Sequence, residues 1–397
     1  MVCFTSIMRR TGSHGGRLIT LATLATVVLS GCFTTSSAQG ELELRATLEH
    51  IRQSNASAWG TEVPGLGAAV VTQGEIVSAL SGSADPPASR PLGPPDQFHV
   101  GSLTKTFTAA LIMVLDQEAM LSLDDPISRW LDYPGGDDIT IRMLLGHTSG
   151  IPDFTSAAGL TREESPREAI ALAAQMTPLF APDDSWAYSN TNYMILGLIS
   201  ELAAGVAWGA QIRARFIQPL GLDSTYVWTG VAEGPTVSGS RLACGYPDEP
   251  ECTPMPGLTL LPVIDGADWT LAWAAGSLVS TPRDMALWMS ELVGGDVLDN
   301  DHRDLMTTAT PQSHAALASL PAFGSTRWTG ASLGLLRYEI DGQGAAWGHE
   351  GSINGFVANA AYVMDSEVAI AVTSNFAMTD SFDALGEVAT RMAHLWA

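Results

Sequence analysis

The chain has 397 residues, 46% of them hydrophobic, enough to bury a sizeable core in one large domain or two intertwined ones. Its formal charge of −23 argues against nucleic acid as a partner and against adhesion to anionic lipid by charge. Lys105 is the only lysine, and every other cationic position is arginine, which cannot give up its proton.

Residues 1–31 read as an export signal. Arg9, Arg10 and Arg17 precede an apolar stretch over 18–29, which is short for a membrane span of about 20 residues. Leu29-Ser30-Gly31-Cys32 resembles the bacterial lipobox, which implies cleavage before Cys32 and lipid on its thiol. An ordinary secretory signal cut near Ala38 is the alternative. The expectation is an exported envelope lipoprotein, periplasmic or on the cell surface and held to the membrane at Cys32, or else a secreted protein. Residues 32–40 are small and polar, a flexible tether, and 41–397 form the folded domain.

Helical spacing of Leu44, Leu48 and Ile51 predicts a helix over 41–57. Two strands, 65–71 and 75–80, form a hairpin, and 84–95 is a Pro-rich loop. A helix starts at Ser102 and runs to about Ala119. From about 110 to 310 helices and loops dominate, with helices over 166–175, 191–204 and 282–293; Tyr193, Leu196 and Ile199 form the apolar stripe of the second. His147-Thr148-Ser149-Gly150 reads as a structural tight turn. Cys244 and Cys252 flank a turn-rich loop and predict a local disulfide in an oxidising compartment. Two cysteines without nearby histidine do not complete a zinc shell, so no metal is expected. The pattern then switches to strands over 332–340, 345–349, 355–364 and 368–374, closed by an amphipathic helix over 381–396. This predicts an α+β fold. One antiparallel sheet is made by both chain ends and flanked by terminal helices, with a mostly helical insert beside it.

Ser102 and Lys105, at i and i+3, share one face of a helix. At a helix start, a serine also meets outward-pointing backbone N–H groups and the positive end of the dipole. That arrangement suits a nucleophilic hydroxyl, an amine as its base and an oxyanion site, although Ser-x-x-Lys also occurs where Ser only caps a helix. Two further motifs follow in order, Tyr188-Ser189-Asn190 and His349-Glu350-Gly351. The first could also be a plain helix-start turn with Asn190 as N-cap, and His349 a hydrogen-bonded strand residue.

Together these motifs resemble the serine β-lactamase and penicillin-binding protein superfamily, especially class C β-lactamases and soluble DD-carboxypeptidases. The stretches 98–105, 144–150, 188–193, 273–280 and 348–356 share the likeness. The resemblance implies a β-lactamase/transpeptidase-like fold and an acyl-Ser102 intermediate. Lys105 would be the base, its pKa lowered in a low-dielectric cleft. Tyr188 would be a phenol that shuttles protons, its phenolate favoured by cationic neighbours, and Asn190 would orient the substrate amide and Lys105. The backbone N–H groups of Ser102 and Ser352 would form the oxyanion site, with Gly351 allowing close approach to the strand edge. No cofactor is implied.

The third motif departs from the Lys-Thr-Gly of most β-lactamases. His349 resembles the residue found in certain DD-carboxypeptidases and D-amino-acid-specific peptidases and esterases, and titrates near neutrality if unperturbed. Glu350, if it points inward, would repel a substrate carboxylate. Arg337 could hold a carboxylate or pair with Glu350 if it faces in, but a slip of one residue reverses its face. The expected activity is an envelope serine hydrolase, D-alanyl-D-alanine carboxypeptidase-like, acting on an acyl-D-amino acid, ester or β-lactam. Carboxylesterase or β-lactamase activity is the alternative, and a non-enzymatic penicillin-binding sensor a further one.

Overall fold

Seven strands form the main sheet, in the order Glu75–Gly82, Gly65–Thr72, Val368–Ser374, Phe356–Val363, Gly344–Ile353, Leu336–Ile340, Thr326–Ala331. Every pairing is antiparallel. The computed structural model describes residues 38–54, 62–72, 75–85, 90–157, 165–242, 260–262, 269–317, 320–322, 324–377 and 379–395. The chain divides into Met1–Gln39 and Gly40–Ala397, and the sheet and site belong to the second.

Strands Gly65–Thr72, Phe356–Val363 and Val368–Ser374 are buried at every position. They read as apolar runs instead of alternating because the sheet is covered on both faces. On one face Leu44, Leu48 and Ile51 of helix 38–54 join Leu385, Val388 and Met392 of helix Ser381–Met392. On the other face lie Met285 and Trp288 of helix Pro282–Met289 and Phe107 of helix Thr104–Gln117, with Phe107 and Trp288 stacked at 3.8 Å. The expected sheet from both chain ends, with a helical insert and terminal helices, is therefore present.

Several boundaries differ from expectation. The first helix begins at 38, inside the expected tether. The run 332–340 is not one strand: Ser332 N–H donates to Leu335 O in a turn, and an unforeseen edge strand, Thr326–Ala331, precedes it with a bulge between Trp328 and Gly330. The bulge breaks the period-2 pattern by which a strand is recognised. The helix expected from 191 starts at Asn190 with Ser189 as its N-cap, so the N-cap alternative for Asn190 does not hold. Its residues from Thr191 to Ser200 are all buried, which makes it the centre of the helical block. Among the described residues no single helix is long and apolar enough to cross a membrane. Cys32, Cys244 and Cys252 lie outside the described residues.

A three-stranded sheet, Phe98–His99, Leu278–Ser280 and Tyr226–Val227, locks the start of the Ser102 turn. Val100 N–H donates to Leu278 O at 3.1 Å, and Leu278 N–H to Thr104 Oγ1 at 3.0 Å. Residues far apart in the chain thus converge on one short turn.

Candidate active site

Ser102 sits in a single 3₁₀ turn, Gly101–Leu103, that runs directly into helix Thr104–Gln117. One turn on, Lys105 is fully buried. Its Nζ lies 3.0 Å from Ser102 Oγ, 2.7 Å from Asn190 Oδ1 and 2.7 Å from the Ala275 carbonyl. Two of these partners can only accept, so a neutral amine spends its two hydrogens on Asn190 and Ala275. Its lone pair is then left for the Ser102 proton. Burial pushes the Lys105 pKa down to about 7, against a smaller upward pull from Asp153. An amine that would be a cation in water is here a base near neutrality.

Asp153 is a site residue that the motifs did not single out. Its Oδ2 accepts from Asn190 Nδ2 at 2.8 Å and from Asn190 N–H at 3.1 Å, which fixes the amide so that Oδ1 faces Lys105. Its local signal is only a cap: Asp153 accepts from Thr155 N–H at the start of the turn Phe154–Ser156. Caps of this kind occur at many helix starts, and the link to Asn190 exists only in the folded chain.

Tyr188 is enclosed by the same groups. Lys105 Nζ lies 4.9 Å from its ring centre, and His147 stacks on it at 4.6 Å. Burial raises its pKa well above the ordinary phenol value. The nearby Ser102 side chain lowers it, although the two hydroxyls are not aligned as a formed hydrogen bond. The expected phenolate is thus corrected: desolvation outweighs the neighbours, and Tyr188 is a neutral phenol able to donate as well as accept.

His147 does more than make a turn. Its Nδ1 faces Ser189 N–H at 3.2 Å and Asn192 Nδ2 at 3.3 Å, so Nδ1 accepts and the ring is the neutral Nε2–H tautomer. Burial, with Lys105 and His349 nearby, keeps its pKa well below the usual value. Its ring backs the Tyr188 phenol.

The third motif occupies the end of strand Gly344–Ile353, where the neighbouring strand has stopped pairing at Gly348. Ile353 and Phe356 close a two-residue hairpin, so strand alternation turns the Ser352 N–H away from its partner strand and toward the free edge. That edge abuts the Ser102 turn. A Cβ on Gly351 would overlap the Val100 carbonyl and lie 2.9 Å from Ser102 N; one on Gly101, which has φ +51°, would lie 2.9 Å from Ser352 N. Only glycine permits this approach, which brings the two backbone N–H donors to one place.

Side chains along this strand alternate. Trp347 packs with the helical block and Ala346 with the terminal helices, so His349 and Gly351 face the cleft while Glu350 faces the other side. The reading of Glu350 as a cleft residue is therefore corrected. Burial, and then Asp380, raise its pKa to about 7. Arg337 pairs directly across from Trp347 and shares the cleft face, which settles its register. Its guanidinium is held by Thr329 Oγ1 at 2.8 Å and Glu339 Oε1 at 2.9 Å, so the pairing with Glu350 does not form. His349 donates Nδ1–H to the Glu350 carbonyl, and burial lowers its pKa to about 3. It does not titrate near neutrality as its free value suggested; Lys105 does.

A cavity of about 330 Å³ opens onto Ser102, with apolar walls from Phe154, Leu271 and Ile353. Among the described residues no basic side chain lines it.

A Beta-lactamase family model matches residues 44–391. Penicillin-binding protein 4 of Amycolatopsis lactamdurans is 29% identical over 84% of this chain and 88% of its own length. Penicillin-binding protein 4* of Bacillus subtilis is 32% identical over 37% of this chain, which covers only about a third (34%) of that relative. A D-stereospecific amidohydrolase from Streptomyces sp. superposes with TM-score 0.68 at 26% identity, covering 87% of this chain and 98% of the other. D-amino acid amidase from Ochrobactrum anthropi SV3, complexed with L-phenylalanine amide, shares the fold with TM-score 0.72 at 24% identity, over 90% and 98% of the two chains.

Proposed function

The chain belongs to the beta-lactamase family of serine hydrolases, and within it we propose an amidase that acts through an acyl-Ser102 intermediate on small D-amino-acid amides and peptides whose scissile end carries no carboxylate. The observation that carries this reading is the missing fixed cation in the third motif. His349 is neutral, Arg337 is already neutralised by Glu339, and the cavity walls offer apolar surface instead of a basic side chain. A carboxylate placed there would lose water without gaining a counter-ion.

In the proposed reaction Lys105 takes the Ser102 proton as Ser102 Oγ attacks the carbonyl carbon, and the Ser102 and Ser352 N–H groups receive the oxyanion. Tyr188 passes its proton to the leaving nitrogen and recovers one from the Lys105 ammonium as the C–N bond breaks; Lys105 then takes a proton from the water that attacks the acyl carbon and returns it to Ser102 Oγ as the acid leaves. The likeness to a D-stereospecific amidohydrolase supports an amide substrate of D configuration. The penicillin-binding relative supports a second reading, D-alanyl-D-alanine carboxypeptidase activity. An export route with lipid on Cys32 belongs to the same proposal and accords with a substrate outside the cytoplasm.

The test is a substrate panel against the protein and its Ser102→Ala variant: D- and L-phenylalanine amide, p-nitrophenyl butyrate, an N-acyl-D-Ala-D-Ala peptide and benzylpenicillin. The proposal expects the D-amide and the ester to be consumed with kcat/KM at least tenfold above the D-Ala-D-Ala peptide. Faster cleavage of that peptide, or a persistent penicilloyl adduct on Ser102, would transfer the assignment to a penicillin-binding carboxypeptidase.

A further inference from the structure

A second cavity, about 690 Å³, is lined in part by helix Trp269–Gly276, which is broken at Trp273. The two cavities share no lining residue, yet the helix contributes to both: Leu271 and Ala275 face the first, Trp273 the second. Its size is that of a small-molecule site.

The walls are aromatic. Trp273 and Trp228 present partly exposed rings with Val227 beside them, and the fully buried Trp208 backs Trp273 edge to face at 5.9 Å. At the rim Arg213 is balanced by Glu233 at 3.4 Å. That leaves Glu201, whose Oε1 accepts from Trp208 N–H at 2.9 Å and which no cation pairs among the described residues. An unpaired carboxylate beside indole faces selects a positive charge carried on an apolar body.

The shared helix is tied to the catalytic amine. Its Ala275 carbonyl accepts from Lys105 and its Ala274 carbonyl from Thr108 Oγ1, each at 2.7 Å. Thr108 in turn accepts from Trp208 Nε1 at 3.2 Å. Between the two cavities Trp273 holds a non-helical, positive-φ conformation (φ 36°, ψ −124°), unusual for a bulky residue. A molecule seated against Trp273, which Trp208 backs, therefore bears on the segment whose carbonyl accepts from Lys105.

We propose that this second cavity binds a small organic ammonium with an aromatic or aliphatic body, and that its occupancy is coupled to acylation at Ser102 through helix Trp269–Gly276. Coupling of this kind needs two distinct sites and an element that both of them bias, and the helix is that element.

Titration calorimetry of 2-phenylethylammonium chloride into the Ser102→Ala protein tests binding without reference to any activity. Saturable one-to-one binding is expected, at least tenfold tighter than that of neutral 2-phenylethanol. It should weaken at least fivefold in Glu201→Gln and in Ala210→Leu, which fills the cavity from an exposed position. In the protein with Ser102 intact, saturating amine should change the acylation rate with p-nitrophenyl butyrate at least twofold, and the Ala210→Leu variant should keep the basal rate and lose the response. Absence of saturable binding, equal binding by both variants, or simple competition with the ester would overturn the site. Binding that leaves acylation unchanged would overturn the coupling.

Discussion

His349 and Glu350 are neighbours on one strand yet serve opposite sides of the sheet: the imidazole faces Tyr188 and the cleft, while the carboxyl lies under the terminal-helix side near Asp380. His349 is buried and neutral at neutral pH, while Glu350, half-buried, has lost enough water to titrate near 7 instead of staying fully ionised there. The pair has the backbone position of a familiar third motif without its positive charge, and the consequences separate cleanly by pH.

The acid limb of the rate profile belongs to Lys105. The amine must be neutral to take the Ser102 proton, so kcat/KM should rise with pH through a midpoint near 7. His349→Gln should leave that midpoint in place, because His349 has shed its proton at a far lower pH. Lys105→Arg, which keeps a cation that cannot be deprotonated, should lower kcat at least about 100-fold. A pH–rate series on the three proteins checks this, and a limb that vanishes in His349→Gln would reassign the base.

Asp153 tunes the same midpoint. Its charge holds the Lys105 pKa up against burial, so Asp153→Asn should move the acid limb below 7. The loss of its bonds to Asn190 should also lower kcat more than it raises KM, because the change falls on a positioning contact. Measuring kcat and KM across pH separates the two effects, and an unmoved limb would show that Asp153 acts only through Asn190.

Glu350 should govern stability and not rate. A carboxyl whose pKa rises from 4.5 unfolded to about 7 folded favours folding while protonated. That contribution is complete below the unfolded value and is lost as pH climbs through about 7. Glu350→Gln stays neutral, so its advantage in thermal stability over the parent should grow between about pH 5 and about pH 8, by up to about 3 kcal/mol. Melting curves in matched buffers test this; a constant difference across that range would mean that Glu350 is not buried as described.

Gly351→Ala should disable the oxyanion site. The new methyl overlaps the Val100 carbonyl and crowds Ser102 N, so the strand edge must retreat from the nucleophile turn. Loss of an aligned donor corresponds to about 10²–10³-fold in kcat. Steady-state kinetics with a circular-dichroism melt distinguish a retreat of the edge from general unfolding, and near-parental kcat would sink the assignment of Ser352 N–H as a donor.

The sequence by itself paired Ser102 with Lys105, the proposed nucleophile and base, because a lone lysine one helical turn from a serine is a local relation that survives without the fold. It also determined the sheet from both chain ends and the helical block, since apolar periodicity switches at the right places. It missed the strand Thr326–Ala331, where a bulge hides the alternation, and it left Arg337 ambiguous because one residue of register exchanges the faces. Asp153 escaped notice because its signal is an ordinary cap, and its partner Asn190 comes from the start of another helix.

Tertiary structure alone decided the charge states. Residue type assigns His349 a near-neutral titration, Tyr188 a phenolate beside cations and Glu350 a repulsive charge in the cleft. Burial reverses the first two, and strand pairing turns the third away. The reason is physical: a pKa reports how much water and which neighbours a group keeps, and neither is set until distant segments have packed around it.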